Sequence, residues 1–563
     1  MRTYLAGLVF LFIIPGSFAQ SVKNNTRYSV QKTITCGKGA VVSAHPLASM
    51  AGLQILKQGG NAVDAAIATQ LALAVVYPAA GNIGGGGFMV AHLSNGQNIS
   101  IDYREKAPAK ASRDMYLDKD GNAQLDLSQY GHLASGVPGT VAGLFASLKY
   151  AKLPFVKLIQ PAIDLAEHGF PITAGQAASF NSNKKEFLEQ NKAAIAFVKA
   201  EKWKAGDLLI QTDLANTLKR IRDLGQKGFY EGETARLIVE EMQRGNGIIS
   251  LDDLKSYEAK ERTPLSFDYK GHQVISMPLP SSGGIIIEQM LKMIEQRNIA
   301  AMKFQSAGSV QLMTEVERRA YADRAEFLGD ADFVNVPVKS LVSREYLDQR
   351  MKDYEPGKAG NSKITGAGMI RESEETTHLS VIDSEGNAVA VTTTLNDSYG
   401  SHTVVTGAGF ILNNEMDDFS VKPGVPNMYG ALGNDKNAIA PGKRMLSSMT
   451  PTIVLKNNKP CLVVGTPGGT TIPTSVFQTL VNIIEFNMTA IDAVNKPKFH
   501  HQWSPDRIDV EKDFPADLIQ QLEAMGYTVK PRESIGRTEL IQVLGKKIIA
   551  VGDKRGDDDA RGY

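Results

Sequence analysis

EETTHLSVIDSEGNAVAVTTTLNDSYG, residues 374–400, sets two apolar runs, Leu379–Ile382 and Ala388–Val391, on either side of the polar turn Asp383–Asn387. β-Branched residues suit a pleated strand and Gly386-Asn387 relieves the strain of a reversal, so the stretch predicts a β-hairpin. The first strand opens with Thr376-Thr377-His378, directly after the charged run Arg371–Glu375. The second closes on Thr392-Thr393-Thr394-Leu395-Asn396, which gathers hydroxyls at the hairpin's open end. Threonine is at home in any strand, so these hydroxyls take on meaning only from the rest of the chain.

Upstream of the hairpin, residues 356–375 lose apolar periodicity and read as a mobile tail. Downstream, Phe410–Asn414 reads as a strand leading into Glu415-Met416-Asp417-Asp418. The polar loop Lys422–Lys443 is too long to be a mere connection and is a candidate lid. Strands follow at Thr452–Leu455 and Cys461–Gly465, then Thr466-Pro467-Gly468-Gly469-Thr470 and a helix from about Pro473 to Phe486. Towards the start of the chain, Ala40–Ala44 reads as a strand and Leu47–Gln58 as a helix. Ala62–Val76, capped by Asn61, is apolar all round and therefore a buried helix. Gly81–Phe88 carries no Gly-Lys-Ser/Thr and is no phosphate loop; it reads as a turn where backbone meets backbone. The strand Ile99–Tyr103 runs into Arg104-Glu105, where the arginine suits either a surface ion pair or an anion clamp. Residues between about 140 and 375 are mostly helical in pattern. Strands gathered at both ends with helices between them predict one layered α+β domain.

The 563 residues are 43% hydrophobic, enough for a large core, and 61 basic against 60 acidic residues leave a net charge of +1. That balance, without a basic run, argues against a nucleic-acid partner. The two cysteines, Cys36 and Cys461, have no pairing or metal spacing and read as free, buried thiols, with a bridge as the alternative. Arg2, an apolar core over Tyr4–Ile14, Pro15-Gly16 and Ser17-Phe18-Ala19 form an export-signal pattern with cleavage expected after Ala19. Its core is short for a membrane span, so a periplasmic or secreted protein without a stable membrane anchor is expected. His500-His501 is a poor metal pair, because neighbours in a strand point apart.

One residue can serve as both nucleophile and base. Were the bond between Glu375 and Thr376 cut, Thr376 would carry a free α-amine, with an unperturbed pKa of about 8, beside its own hydroxyl. The surrounding motifs then make the chain similar to the γ-glutamyltransferases of the N-terminal-nucleophile hydrolase superfamily. The shared elements are Gly60–Ala66, Gly84–Phe88, Asp102–Glu105, Thr376–His378, Thr394–Asn396, Asn413–Phe419, Leu446–Pro451 and Gly465–Gly469, in family order across nearly the whole mature chain.

The resemblance implies a four-layer αββα sandwich made from one autocleaved precursor: a signal peptide at 1–19, a large subunit at 20–375 and a small catalytic subunit at 376–563. It implies that Thr376 is the nucleophile, its amine the base, and Glu375–Thr376 the cleavage site. Thr394 would orient the hydroxyl, and the N–H groups of Gly468 and Gly469 would form the oxyanion hole. Arg104, Ser447 and Ser448 would take the substrate's α-carboxylate; Glu415, Asp418 and Asn396 its α-ammonium. Tyr429 would belong to a lid. The implied activity is transfer of the γ-glutamyl group of glutathione and related compounds to water, an amino acid or a peptide. No metal or organic cofactor is implied. The alternative is an acylase for glutaryl-type β-lactam side chains, which would not need the ammonium site that Glu415 and Asp418 retain.

Overall fold

The computed structural model describes residues 28–365, 376–422, 425 and 434–563. The hairpin forms as read, with Thr377 opposite Thr393 and Ile382 opposite Ala388. Before it come β1 (Thr33–Cys36), β2 (Ala40–Ser43), β3 (Gly86–His92), β4 (Asn98–Asp102), β5 (Lys260–Arg262), β6 (Leu265–Tyr269) and β7 (His272–Ser276). The hairpin strands are β8 (Thr377–Ile382) and β9 (Ala388–Thr394). After it come β10 (Thr452–Lys456), β11 (Lys459–Gly465), β12 (Glu539–Leu544), β13 (Lys547–Val551) and β14 (Asp559–Gly562). They build two seven-stranded sheets, ordered β1-β13-β12-β11-β10-β7-β6 and β14-β2-β8-β9-β3-β4-β5.

The sheets pack face to face around Val42, Phe88, Val90, Ile275, Ile382, Ala390, Ile453 and Ile541. On the outer face of the β8-containing sheet lie α1 (Pro46–Lys57), α2 (Ala62–Val76), α3 (Phe155–His168), α4 (Ala174–Ser182) and α5 (Thr212–Leu224). On the outer face of the other lie α6 (Gly283–Ile294), α7 (Ala307–Phe327) and α8 (Thr471–Ile484). The result is the expected four-layer α+β order: helices, sheet, sheet, helices. Each inner strand is covered on both faces, which is why β8 and β9 are buried at every residue. α2 is likewise buried throughout; its N-terminus is closed by Asn61, whose Oδ1 accepts the N–H groups of Val63 and Asp64.

Strand period sorts the hairpin's side chains. Leu379 and Val381 join the helix-facing core, while Ile382 joins the core between the sheets. His378 and Ser380 share the face of Ile382, and Thr376 continues that face to the strand's head. β8 begins where β2 ends, β9 ends where β3 begins, and β11 ends where β12 begins. The ends that matter therefore share one rim of the sandwich.

Three expectations change. Phe410–Asn414 is not a strand: Ile411 makes one isolated bridge to Val404, because turns at Gly407 and Gly409 (φ +76° and +77°) fold the segment back on itself. Residues 356–365 are pinned rather than mobile, since Gly357 N–H donates to Gln311 Oε1 and Ala359 N–H to Met525 O, both at 2.8 Å. Cys36 and Cys461 are free as read but half-buried, being on β1 at a sheet edge and near the start of β11. The leader, Glu375, Tyr429 and residues 423–424 and 426–433 of the candidate lid lie outside the described residues.

Candidate active site

Thr376 stands at the head of β8 and is 5% exposed. The hairpin register, continued by one residue, sets it opposite Thr394. Thr394 Oγ1 accepts the N–H of Asn396 at 2.8 Å, a contact made possible by the left-handed backbone of Asn396 (φ +80°). Asn396 is held in turn by its Nδ2, which donates to Asn414 O at 3.1 Å.

One step down the same face, His378 lies 2.9 Å from Thr392 Oγ1 and 3.1 Å from Ser380 Oγ through its two ring nitrogens. Burial drives its pKa down to about 3, so the ring is neutral. A Cβ on Gly465, at the end of β11, would stand 2.3 Å from that ring, so a glycine is required where the two sheets meet.

Beyond Gly465 the chain turns through Gly468 and Gly469 (φ +132° and +53°) into the N-terminus of α8. The hydroxyl and N–H of Thr471 both donate to Gly468 O, at 2.7 and 2.9 Å, and fix the turn. Among the described residues the N–H groups of Gly468 and Gly469 donate to no protein acceptor. Two such donors at a helix N-terminus are suited to developing negative charge.

A charge cluster lies at the same rim. Arg104, two residues past β4, is fully buried and donates from Nη1 to Glu415 and from Nη2 to Asp418. The same guanidinium reaches the carbonyls of Met445 and Leu446 at 3.4 and 3.3 Å, which ties it to the segment carrying Ser447 and Ser448. Ser447 Oγ accepts Met449 N–H at 3.2 Å, and Ser448 Oγ accepts Arg324 Nη2 at 3.0 Å. Burial pushes the carboxyls of Glu415 and Asp418 up, against the pull of Arg104. Burial alone would lower Arg104, but Glu415, Asp418 and Glu105 hold it above the usual arginine value.

Thr376, Thr394, Asn396, Arg104, Glu415, Asp418, Ser447, Ser448, Gly468 and Gly469 thus lie along one rim, with Glu375 and Tyr429 outside the described residues, and one pairing differs from expectation. Arg104 and the two acids, assigned to opposite ends of a bound zwitterion, here pair with one another. Sequence reading gave no role to three contributors. Glu105 sits 3.7 Å from Arg104 and is pushed up to about 7 by burial, with Arg104 opposing. Asp102 accepts Arg104 N–H at 2.9 Å and pairs with Arg262 at 2.7 Å. Arg324, on α7, also donates to Ser282 Oγ at 3.0 Å. A buried acid beside the arginine of Asp102–Glu105 was a visible signal; Arg324, more than a hundred residues from Ser448, was not.

No group of histidine, cysteine, aspartate or glutamate suited to a metal ion occurs among the described residues. The rim thus carries a strand-head hydroxyl, a pair of backbone N–H donors and a buried cluster of opposite charges. Residues 48–563 match the Gamma-glutamyltranspeptidase family, to which the chain belongs. It is 46% identical over 547 residues to a glutathione hydrolase proenzyme of Escherichia coli (strain K12), covering 96% of this chain and 94% of that protein. It is 36% identical to the Acylase ACY 1 proenzyme of Pseudomonas sp. (strain V22), over 89% and 88%. Among solved structures, a cephalosporin acylase from Bacillus halodurans superimposes with a TM-score of 0.84 at 25% identity, over 98% of this chain and 99% of that one. The Helicobacter pylori γ-glutamyltranspeptidase gives 0.56 at 46% identity, over 56% and 92%.

Proposed function

We propose that the protein is an autoprocessing γ-glutamyltransferase with glutathione hydrolase activity, exported and matured into two subunits, 20–375 and 376–563. The observation that carries this reading is the buried Arg104–Glu415–Asp418 cluster on the same rim as a strand-head threonine. A plain acyl substrate needs no such charges, whereas the α-carboxylate and α-ammonium of a γ-glutamyl group each find an opposite charge there.

In maturation, Thr376 Oγ attacks the carbonyl carbon of Glu375; the C–N bond breaks as the ester forms, which frees the Thr376 amine with the hydroxyl proton, and water then hydrolyses the ester to release the Glu375 carboxylate and the Thr376 hydroxyl. In turnover that amine accepts the hydroxyl proton as Oγ attacks the γ-glutamyl amide carbon. The Gly468 and Gly469 N–H groups receive the oxyanion, and each donor is worth about 3 kcal/mol of barrier. Collapse expels the amine, protonated by the α-ammonium, and leaves a γ-glutamyl ester on Thr376. Water or a second amine then attacks that ester. Thr394, its oxygen engaged by Asn396 N–H, orients the Thr376 hydroxyl. Substrate entry exchanges the internal pairs: its α-carboxylate replaces the acids at Arg104 with help from Ser447 and Ser448, and its ammonium takes Glu415, Asp418 and Asn396. Tyr429 serves as part of the lid.

The test is a denaturing gel of wild type beside Thr376→Ala, followed by assay on γ-glutamyl-p-nitroanilide and its glutaryl analogue. Two wild-type fragments, the smaller beginning Thr-Thr-His-Leu, one uncut variant band, and activity confined to the γ-glutamyl compound are expected. Activity on the glutaryl compound alone would instead assign an acylase, the reading favoured by the likeness to the Bacillus halodurans enzyme.

A further inference from the structure

Lys32 stands one residue before β1, and its ammonium is enclosed by a loop from the far end of the chain. Nζ donates to the carbonyls of Asp553 at 2.7 Å, Gly556 at 2.6 Å and Asp558 at 2.7 Å. All its N–H bonds are thereby engaged by residues 552–558, which join β13 to β14. Both ends of that loop are laced to the same stretch: Gly552 N–H donates to Lys32 O at 2.8 Å, and Ala560 N–H to Gln31 O at 2.7 Å. Carbonyl oxygens that converge on one point repel each other unless a cation stands between them, and here the chain supplies that cation itself.

The loop bears on the head of β12 at two points. Asp553 Oδ2 accepts Thr538 N–H at 2.8 Å. Burial would raise that carboxyl, but Lys498, Arg555 and the N–H bond hold it below the usual carboxylate range. Asp558 lies against Glu539, the first residue of β12. Both are fully buried, and among the described residues no donor reaches any of their carboxyl oxygens. Burial and the neighbouring Asp558 push the Glu539 carboxyl well above its ordinary value, with Arg537 opposing, so the two acids share a proton. Two acids in contact favour separation, so this joint stays closed only if the loop is held from elsewhere. The head of β12 in turn backs the Gly468–Gly469 turn. Glu539 pairs with Gly465, Arg537 N–H donates to Thr466 Oγ1 at 2.8 Å, and a Cβ on Gly468 would stand 3.4 Å from Gly536 Cα.

We propose that Lys32 is a positioning residue for the Gly468–Gly469 turn: its ammonium is a resident monovalent cation that keeps residues 552–558 closed on the head of β12, and so fixes the two N–H donors. For the reaction those donors serve, this rests on the γ-glutamyltransferase reading; the hold on the turn does not. Under that reading the cation belongs to the large subunit and its cage to the small one, so the contact outlasts the cut before Thr376. The site vacated in Lys32→Ala takes a primary alkylammonium ion. n-Propylammonium matches the atoms removed, Cγ, Cδ, Cε and Nζ, and can donate to the same carbonyls.

The experiment compares wild type, Lys32→Ala and Lys32→Met, with and without n-propylammonium, by initial rates on γ-glutamyl-p-nitroanilide and by peptide-resolved hydrogen exchange. Lys32→Ala is expected to lower kcat about tenfold with KM unchanged, because oxyanion donors act in the transition state. Exchange should quicken across 466–471 as well as 552–558, while 388–394 keeps its wild-type rate. Relative to wild type in the same solution, n-propylammonium restores both in Lys32→Ala, a gain that misfolding cannot produce. Tetramethylammonium, which has no N–H, restores neither. Lys32→Met, whose uncharged stem fills the channel, shows the same losses without rescue, and carries the test if Lys32→Ala does not accumulate. An unchanged kcat, faster exchange confined to 552–558, or a Lys32→Ala loss that n-propylammonium leaves in place would overturn the assignment. A wild type that releases no p-nitroaniline sinks the parent reading alone, since reversible loosening of 466–471 would still uphold the hold on the turn.

Discussion

At the scale of single residues, the buried cluster offers separate tests of its proposed binding role and of its pH response. Asp418→Asn keeps the shape of the site and removes one charge, so the donor KM should rise roughly 30-fold, about 2 kcal/mol, while the precursor still cuts itself; gel and initial rates check the two halves separately. Glu105 makes the second case. Its carboxyl is raised from 4.5 to about 7, chiefly by burial. An acid raised in the folded state keeps its proton better than the unfolded chain does. Its contribution to stability is therefore full below about 4.5 and lost as pH rises towards about 7. Glu105→Gln should flatten that part of the Tm-against-pH curve; a slope identical to wild type would show that Glu105 does not titrate there. Arg104, Glu415, Asp418, Ser447 and Ser448 could be singled out from the sequence because their motifs stand together, whereas Glu105, though in the motif of Arg104, was given no role. Their mutual pairing was not legible, since a one-dimensional pattern gives the partner a substrate would have and not the partner a side chain takes without one.

At the scale of elements, the meeting of β8 and β11 is a close joint of the site. Gly465→Ala would drive a methyl into the His378 ring, and overpacking of that kind costs about 2 kcal/mol in a core that cannot relax. Calorimetry should show a lowered Tm for Gly465→Ala and a smaller loss in the Gly465→Ala, His378→Ala pair than the two single losses predict. Additive losses would mean that the joint yields. The hairpin, α2 and α8 were readable to within a few residues, because each has a clear period and its own start or stop signal. Phe410–Asn414 was misread for a physical reason. A short apolar run looks alike whether it joins a ladder or packs as coil, and here Asn413, bonding Gly84 O and Gly136 O through its Nδ2, replaces the ladder with side-chain bonds. The pinned stretch 356–365 was missed because its partners, Gln311 and Met525, are distant in sequence.

At the scale of the whole molecule, the segments on either side of Thr376 are not separate bodies. In one sheet β8 and β9 from the later segment lie between β2 and β3 from the earlier one, and β14, close to the end of the chain, closes on β2. In the other, β1 at one edge and β6-β7 at the other enclose four strands of the later segment. The processed fragments should therefore elute as one particle and melt in a single transition; two resolved melts would contradict this interleaving. Layered architecture could be argued from strands at both ends of the chain, but not this shuffling of strands, which depends on pairings between residues hundreds of positions apart. It has a kinetic consequence. As one chain, the protein folds in a process whose rate is independent of concentration. With the bond before Thr376 broken as proposed, the same fold can be regained only by an encounter of two polymers, each missing strands that its own sheets pair with. Recovery after full denaturation should become second order and largely lost to aggregation. Maturation is in that sense a one-way passage: the working enzyme inherits its shape from a molecule that no longer exists, and its lifetime is set by how slowly it unfolds.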